Sequence, residues 1–147
     1  MATFEHSNST VIQVPAEAVF DYVTNPHTWP EWLPSSHKLE CENRPMAFGD
    51  VFHEHWSTRS GPVNLDWVVA IAERPRRWLG LTQAGFMGPV LVEYTLEDAA
   101  GGVRFTRTVR NPQRPKPATA DQTERFDAEA ELGLANIKRI LEARAGS

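Results

Sequence analysis

The sequence predicts an α+β domain in which an antiparallel sheet is covered on one face by a long helix. Three observations carry this. Between residues 63 and 73, Val63, Leu65, Trp67, Val69 and Ile71 share one face while Asn64 and Asp66 start the other, which is the period of a strand. Residues 37–110 divide into further strand-like segments at turn signals: Gly49-Asp50, Ser60-Gly61-Pro62, Arg74-Pro75, Gly88-Pro89 and Ala100-Gly101-Gly102. Towards the end the period changes, with Phe126, Ala130, Leu134, Ile137 and Leu141 recurring at helical steps.

In chain order, a first strand is expected over 4–14, with Thr10, Val11, Ile12 and Val14 near its end. Pro15 opens a helix over 16–25, because a first-turn proline loses no needed donor. Val19, Phe20 and Val23 make its apolar face, and Asn25-Pro26 stops it, since a residue before proline leaves the helical region. A second short helix over 27–32 carries Trp29 and Trp32, each beside a proline. Strands follow over 37–43, 51–59, 63–73, 76–83, 90–97 and 103–110. Residues 111–117 hold three prolines and two basic residues and read as an extended loop, either a plain linker or a gate over a cavity mouth. A closing helix is expected over 121–144.

A length of 147 residues suits one domain, 1–147, and a hydrophobic share of 41% with five tryptophans is enough for its core. The net charge of -4 disfavours a general nucleic-acid-binding role, which needs a basic face. No apolar run of ~18 residues occurs, so no membrane span is expected. The start, Met-Ala-Thr-Phe-Glu-His, lacks the basic region and apolar stretch of a secretory signal. Cys41 is alone and cannot form an internal disulfide, which fits a cytoplasmic location. A lone cysteine reads as a small apolar filler before it reads as a nucleophile. There is no phosphate loop, Cys-x-x-Cys pair or Gly-x-Ser-x-Gly elbow, so no cofactor is expected and nucleotide or serine-hydrolase chemistry has no support. The oligomeric state is left open, a homodimer among the options.

The run Val14-Pro15-Ala16-Glu17-Ala18-Val19-Phe20, then Asn25-Pro26, then Trp29-Pro30-Glu31-Trp32 resembles the START-like superfamily (SRPBCC, helix-grip fold), in particular its polyketide cyclase/dehydrase and lipid-transport branch. Phe48-Gly49-Asp50, Arg74-Pro75-Arg76-Arg77 and Gly101-Gly102-Val103-Arg104-Phe105 agree with the family's turn placement, although Val103 stands where threonine is common. The resemblance implies a curved seven-stranded antiparallel sheet wrapped around the C-terminal helix, with two short helices between the first and second strands. It also implies a cavity between sheet and helix for a hydrophobic small molecule: a lipid, a polyketide or an aromatic metabolite. A carrier and a polyketide cyclase, aromatase or dehydratase using acid–base groups in the same cavity are both consistent with it, because one fold hosts many activities.

Strand register decides which polar groups face such a cavity. Placing Val69 opposite His53, Trp67 opposite His55 and Leu65 opposite Ser57 turns both histidines inward; a one-residue slip turns both outward. His53 and His55 could serve as acid–base groups. They could also begin a zinc site, but no convincing third ligand accompanies them and no metal is expected. Across the turn at 99–102, Leu96 falls opposite Phe105, Tyr94 opposite Arg107 and Val92 opposite Val109. The other face then pairs Glu97 with Arg104 and Thr95 with Thr106. An inward arginine is costly unless partnered, so Arg107 either meets a carboxylate of the closing helix, such as Asp127 or Glu131, or awaits a ligand oxygen. The acid–base candidates are therefore His53, His55, Tyr94 and Arg107. The ligand-contacting candidates are Leu65, Trp67, Val69, Trp78, Val92, Tyr94, Phe105, Arg107, Phe126 and Ala130. Trp29 and Trp32 are either core plugs or ligand stackers.

Overall fold

A computed structural model describes residues 2–34, 37–58 and 61–146, with His37, Thr58 and Phe86 in backbone only. The elements run β1 (Ala2–Ile12), α1 (Ala16–Val23), a 3₁₀ turn (Pro26–Thr28), α2 (Trp29–Trp32), β2 (His37–Glu40), β3 (Val51–Thr58), β4 (Gly61–Glu73), β5 (Arg77–Gln83), a second 3₁₀ turn (Gly85–Met87), β6 (Pro89–Ala99), β7 (Gly102–Arg114) and α3 (Ala120–Ala145). The strands form one sheet in the order β1-β7-β6-β5-β4-β3-β2, with every pairing antiparallel. Each strand from β2 to β7 thus lies beside its chain neighbour, and β1 crosses to close on β7. No helix among the described residues is long and apolar enough to cross a membrane.

Local chemistry accounts for the helix ends. Pro15 caps α1 in extended backbone. At the other end the Thr24 hydroxyl donates to the Phe20 carbonyl at 2.7 Å, and Asn25 Oδ1 accepts from the His27 amide, starting the 3₁₀ turn. The helix expected over 27–32 is divided between that turn and α2. Thr119 and Gln122 form a reciprocal capping box at the start of α3.

The first strand runs over Ala2–Ile12 and not 4–14, and two further departures from expectation bear on the site. Residues 111–114 are not loop but the last part of β7, where Asn111 pairs with Phe4 and Arg114 with Ala2. Pro112 is accommodated because the register shifts between Ala2 and Phe4, at a place where a missing donor costs little. In β4 the register shifts between Val69 and Ile71. The apolar inner row therefore ends at Val69, Ala72 packs on the core, and Ile71 is only half-buried.

The core is aromatic. Trp29 makes edge contacts with Phe52, Trp67 and Trp78, and Trp78 stacks on Tyr94. Gly80 permits this: a Cβ there would lie 2.9 Å from Trp78 and 3.3 Å from Trp67. Helix α3 enters the core through Ala130, Gly133, Leu134, Ile137 and Leu141. Gly133 lies close under α2, where a Cβ would come 3.2 Å from the Trp32 carbonyl oxygen.

Candidate ligand-binding site

The histidine expectation is corrected by the β3–β4 ladder. His53 pairs with Asp66 and His55 with Asn64, not with Val69 and Trp67. The sequence reading centred the hairpin too far along the chain. Gly61 and Pro62 belong to β4, opposite Thr58 and Ser57, while Ser60 lies outside the described residues. The odd register difference turns every side chain of β3 over. His53 Nδ1 meets Asp66 at 2.7 Å; His55 meets Asn64 at 2.7 Å and Glu40 at 3.1 Å, all on the outer face. Bonds to Asn64 and Glu40 hold the His55 pKa above its ordinary value. The same flip sends Glu54 inward. It is 2% exposed and accepts from Trp67 Nε1 at 3.0 Å.

The β6–β7 hairpin has the register read from its turn, with Leu96 opposite Phe105, Tyr94 opposite Arg107 and Val92 opposite Val109. Tyr94 and Arg107 therefore share the inner face. Burial pushes the Tyr94 phenol pKa up, with a smaller upward push from Glu54, while the Arg107 guanidinium pulls it down. Neither Asp127 nor Glu131 satisfies Arg107. Asp127 is engaged by His6 at 2.6 Å and by Asn8 at 3.1 Å, and Glu131 is exposed. Arg107 Nε is buried without a hydrogen-bond partner. Four residues along β7 and on the same face, Asn111 is 3% exposed, and both its amide nitrogen and its amide oxygen lack partners. Trp32 Nε1, also buried, is the remaining described side-chain atom in this state. Such atoms are rare in native interiors and call for an explanation.

Arg107 and Asn111 pair with Asn8 and Phe4 of β1, which in turn meet Asp127 and Phe126 in the first half of α3, whereas Trp32 lies under Gly133 in its second half. No residue of α3 before Ala130 is buried, while Phe126 and Asp127 are half-buried. Phe126 packs edge-on against Phe4 and His6 of β1. Of the expected ligand contacts, Arg107 and Phe126 border this open end. Val69, Trp78 and Phe105 are wholly enclosed, as Leu65, Trp67, Val92, Tyr94 and Ala130 nearly are. Trp29 is a core plug whose Nε1 donates to the Val23 carbonyl. Sequence reasoning missed His6, Asn8, Glu54 and Asn111. The alternation Phe4-x-His6-x-Asn8-x-Thr10 carried a signal for the β1 pair, since its polar members share a face with an aromatic ring.

An antiparallel sheet closing on one long helix, with short helices after the first strand, agrees with the helix-grip arrangement. The sequence matches the family described as polyketide cyclase / dehydrase and lipid transport over residues 1–142. The chain belongs to that family. The family lies in the START-like (SRPBCC) superfamily, and solved structures agree on the fold. The di-domain ARO/CYC StfQ from the steffimycin biosynthetic pathway superposes with a TM-score of 0.74 at 14% identity, over 99% of this chain and 52% of StfQ, so this chain spans about half of StfQ. A Rhodobacter sphaeroides protein superposes at 0.72 with 21% identity, over 95% and 92% of the two chains. Ara h 8.0201 does so at 0.69 with 12% identity, over 97% and 99%. No protein of curated function matches the sequence. In this fold the unmatched Arg107 and Asn111 atoms lie on the sheet face that looks towards the gripped helix.

Proposed function

We propose that the protein binds a hydrophobic small molecule between the sheet and the N-terminal half of α3, with an oxygen of that molecule at Arg107 and Asn111. The observation that carries this is the set of buried, unpartnered polar atoms on the inner face, Arg107 Nε and the Asn111 amide. Arg107 Nε and Asn111 Nδ2 offer donors, and Asn111 Oδ1 an acceptor, to groups that the protein does not supply. Apolar and aromatic side chains on both sides, Val109, Tyr94, Phe4 and Phe126, suit the rest of a lipid, polyketide or aromatic metabolite. Membership of a family of polyketide cyclases, dehydrases and lipid-transport proteins supports the same reading. A cyclase, aromatase or dehydratase would need a base beside the bound carbonyl, and His53 and His55, on the outer face, do not supply it.

Arg107→Met tests the reading, because it keeps much of the stem volume and removes every donor. A naphthalene-sulfonate dye displaced by decanoate and by 1-tetralone reports affinity. The substitution should weaken the oxygen-bearing competitors by ~10-fold or more, the worth of one charge-assisted hydrogen bond, and leave the melting temperature nearly unchanged. A fall in melting temperature with unchanged relative affinities would make Arg107 purely structural.

A further inference from the structure

We infer that His6, oriented by Asp127, is the general base for enolisation of a ketone held at Arg107 and Asn111; this rests on the binding reading above. The β1–β7 ladder pairs Phe4 with Asn111, His6 with Val109 and Asn8 with Arg107. His6 therefore projects from the same face as the two unmatched β7 side chains and lies diagonally between them, at about 7–8 Å in backbone spacing. Enolisation there requires these three side chains to reach one small group held between the sheet and α3.

The imidazole is held from several sides. Its Nε2 lies 2.6 Å from Asp127 Oδ1, and Asn8 Nδ2 donates to that same oxygen at 3.1 Å. Phe4 stacks on the ring at 5.7 Å between centroids, and Phe126 meets it edge-on at 5.6 Å. A carboxylate only accepts, so in the proposed dyad the proton is assigned to Nε2 and the role of base to Nδ1. Among the described residues Nδ1 has no partner. A simple tie between β1 and α3 would not require this orientation. Nor would it require Asp127, which also bonds the strand partner of Arg107, to serve an imidazole while the Arg107 Nε stays unmatched.

The step balances without a co-reactant. Nδ1 takes a proton from the carbon next to the carbonyl. The C–H pair becomes the new C=C bond, the carbonyl pair moves onto oxygen, and Arg107 with the Asn111 amide donates to the enolate oxygen. Asp127 stabilises the imidazolium, which then returns a proton to carbon. In deuterium oxide the returned nucleus is deuterium, so a bound ketone exchanges its α-hydrogens.

The test is exchange at the α-carbon of 1-tetralone in deuterium oxide, followed by proton NMR, with affinity measured alongside by dye displacement. Wild-type protein should exchange the ketone faster than buffer. His6→Gln and Asp127→Asn should each slow catalysed exchange by about 10²-fold with affinity unchanged, a loss in turnover and not in binding. Added imidazole should restore exchange to His6→Ala, which a structural role for His6 would not allow. Tight binding of tetralone by the wild type with exchange no faster than buffer overturns the dyad and leaves the binding site standing. Unchanged exchange in His6→Gln does the same. Failure of the wild type to bind both tetralone and decanoate overturns the binding reading, and the dyad with it.

Discussion

The two ends of the grip treat their polar atoms differently. At the closed end, where α1, α2 and the second half of α3 pack, buried polar atoms find protein partners: Trp29 Nε1 meets Val23, Trp78 Nε1 meets Met46, and Thr24 and Thr28 bond to backbone carbonyls. At the open end, under the first half of α3, Arg107 Nε and the whole Asn111 amide are buried and unmatched. Trp32 Nε1, in α2 and packed under Gly133, is the exception at the closed end among the described residues. On the proposed reading, one sheet serves stability at one end and a ligand at the other. The difference follows from α3 itself, whose buried residues begin only at Ala130.

If that division is right, equivalent truncations should have unequal costs. Trp78→Ala removes a wholly enclosed indole that stacks on Tyr94 at 5.1 Å, and should cost about 3–5 kcal/mol in urea unfolding. Phe126→Ala removes a half-buried ring at the open end and should cost about 1 kcal/mol or less while weakening tetralone binding. Similar unfolding costs for the two would erase the distinction between the ends.

The closed end was also the legible one. The helical period of α3, the Pro15 and Asn25-Pro26 punctuation and the Trp29/Trp32 pair are local signals, and each produced an element close to where it was read. The β6–β7 register was legible because its ladder runs to Ala99 opposite Gly102 and leaves a two-residue turn with Gly101 at positive φ. The β3–β4 register was not, because a Ser-Gly-Pro run allows several turn lengths and an odd slip exchanges faces, trading Glu54 for the two histidines. The site at the open end is non-local. His6 and Asp127 meet only because β1 crosses to β7 beneath α3, which no spacing in the chain announces.

A gentler comparison exchanges single polar groups. Thr24→Val removes a buried hydroxyl bonded to the Phe20 carbonyl and should cost about 1 kcal/mol. Asn111→Leu replaces an amide that has no partner with an apolar group of similar shape, and should be neutral or raise stability by about 1 kcal/mol in the free protein. The same substitution should weaken ketone binding. Opposite signs in thermal unfolding are the expected outcome. A clear destabilisation by Asn111→Leu would mean that the amide is satisfied in the free protein, and the open end would lose its distinguishing feature.

The smallest expected signal concerns the two tyrosines, one at the closed end and one at its border with the open end. Tyr22, at the closed end, has its pKa raised by burial, by its 2.9 Å bond to Glu31 and by that carboxylate's charge, against weaker opposition from Arg144 and Arg139. Tyr94, at the border, is raised by burial and opposed by Arg107. Both phenols therefore ionise above the ordinary tyrosine value of about 10 in the folded state. A group raised in this way contributes stability that is whole below its unfolded pKa and is lost as the pH rises through its folded one, so alkaline unfolding should release both. Phenolate absorbance should accordingly stay absent near pH ~10 in native protein and appear there in urea. Tyr22→Phe isolates Tyr94. If Tyr94 then ionises near its ordinary value while the protein remains folded, water reaches past Arg107 to the phenol. The border between the packed and open ends would then lie one residue deeper, at the Trp78 ring on which Tyr94 stacks.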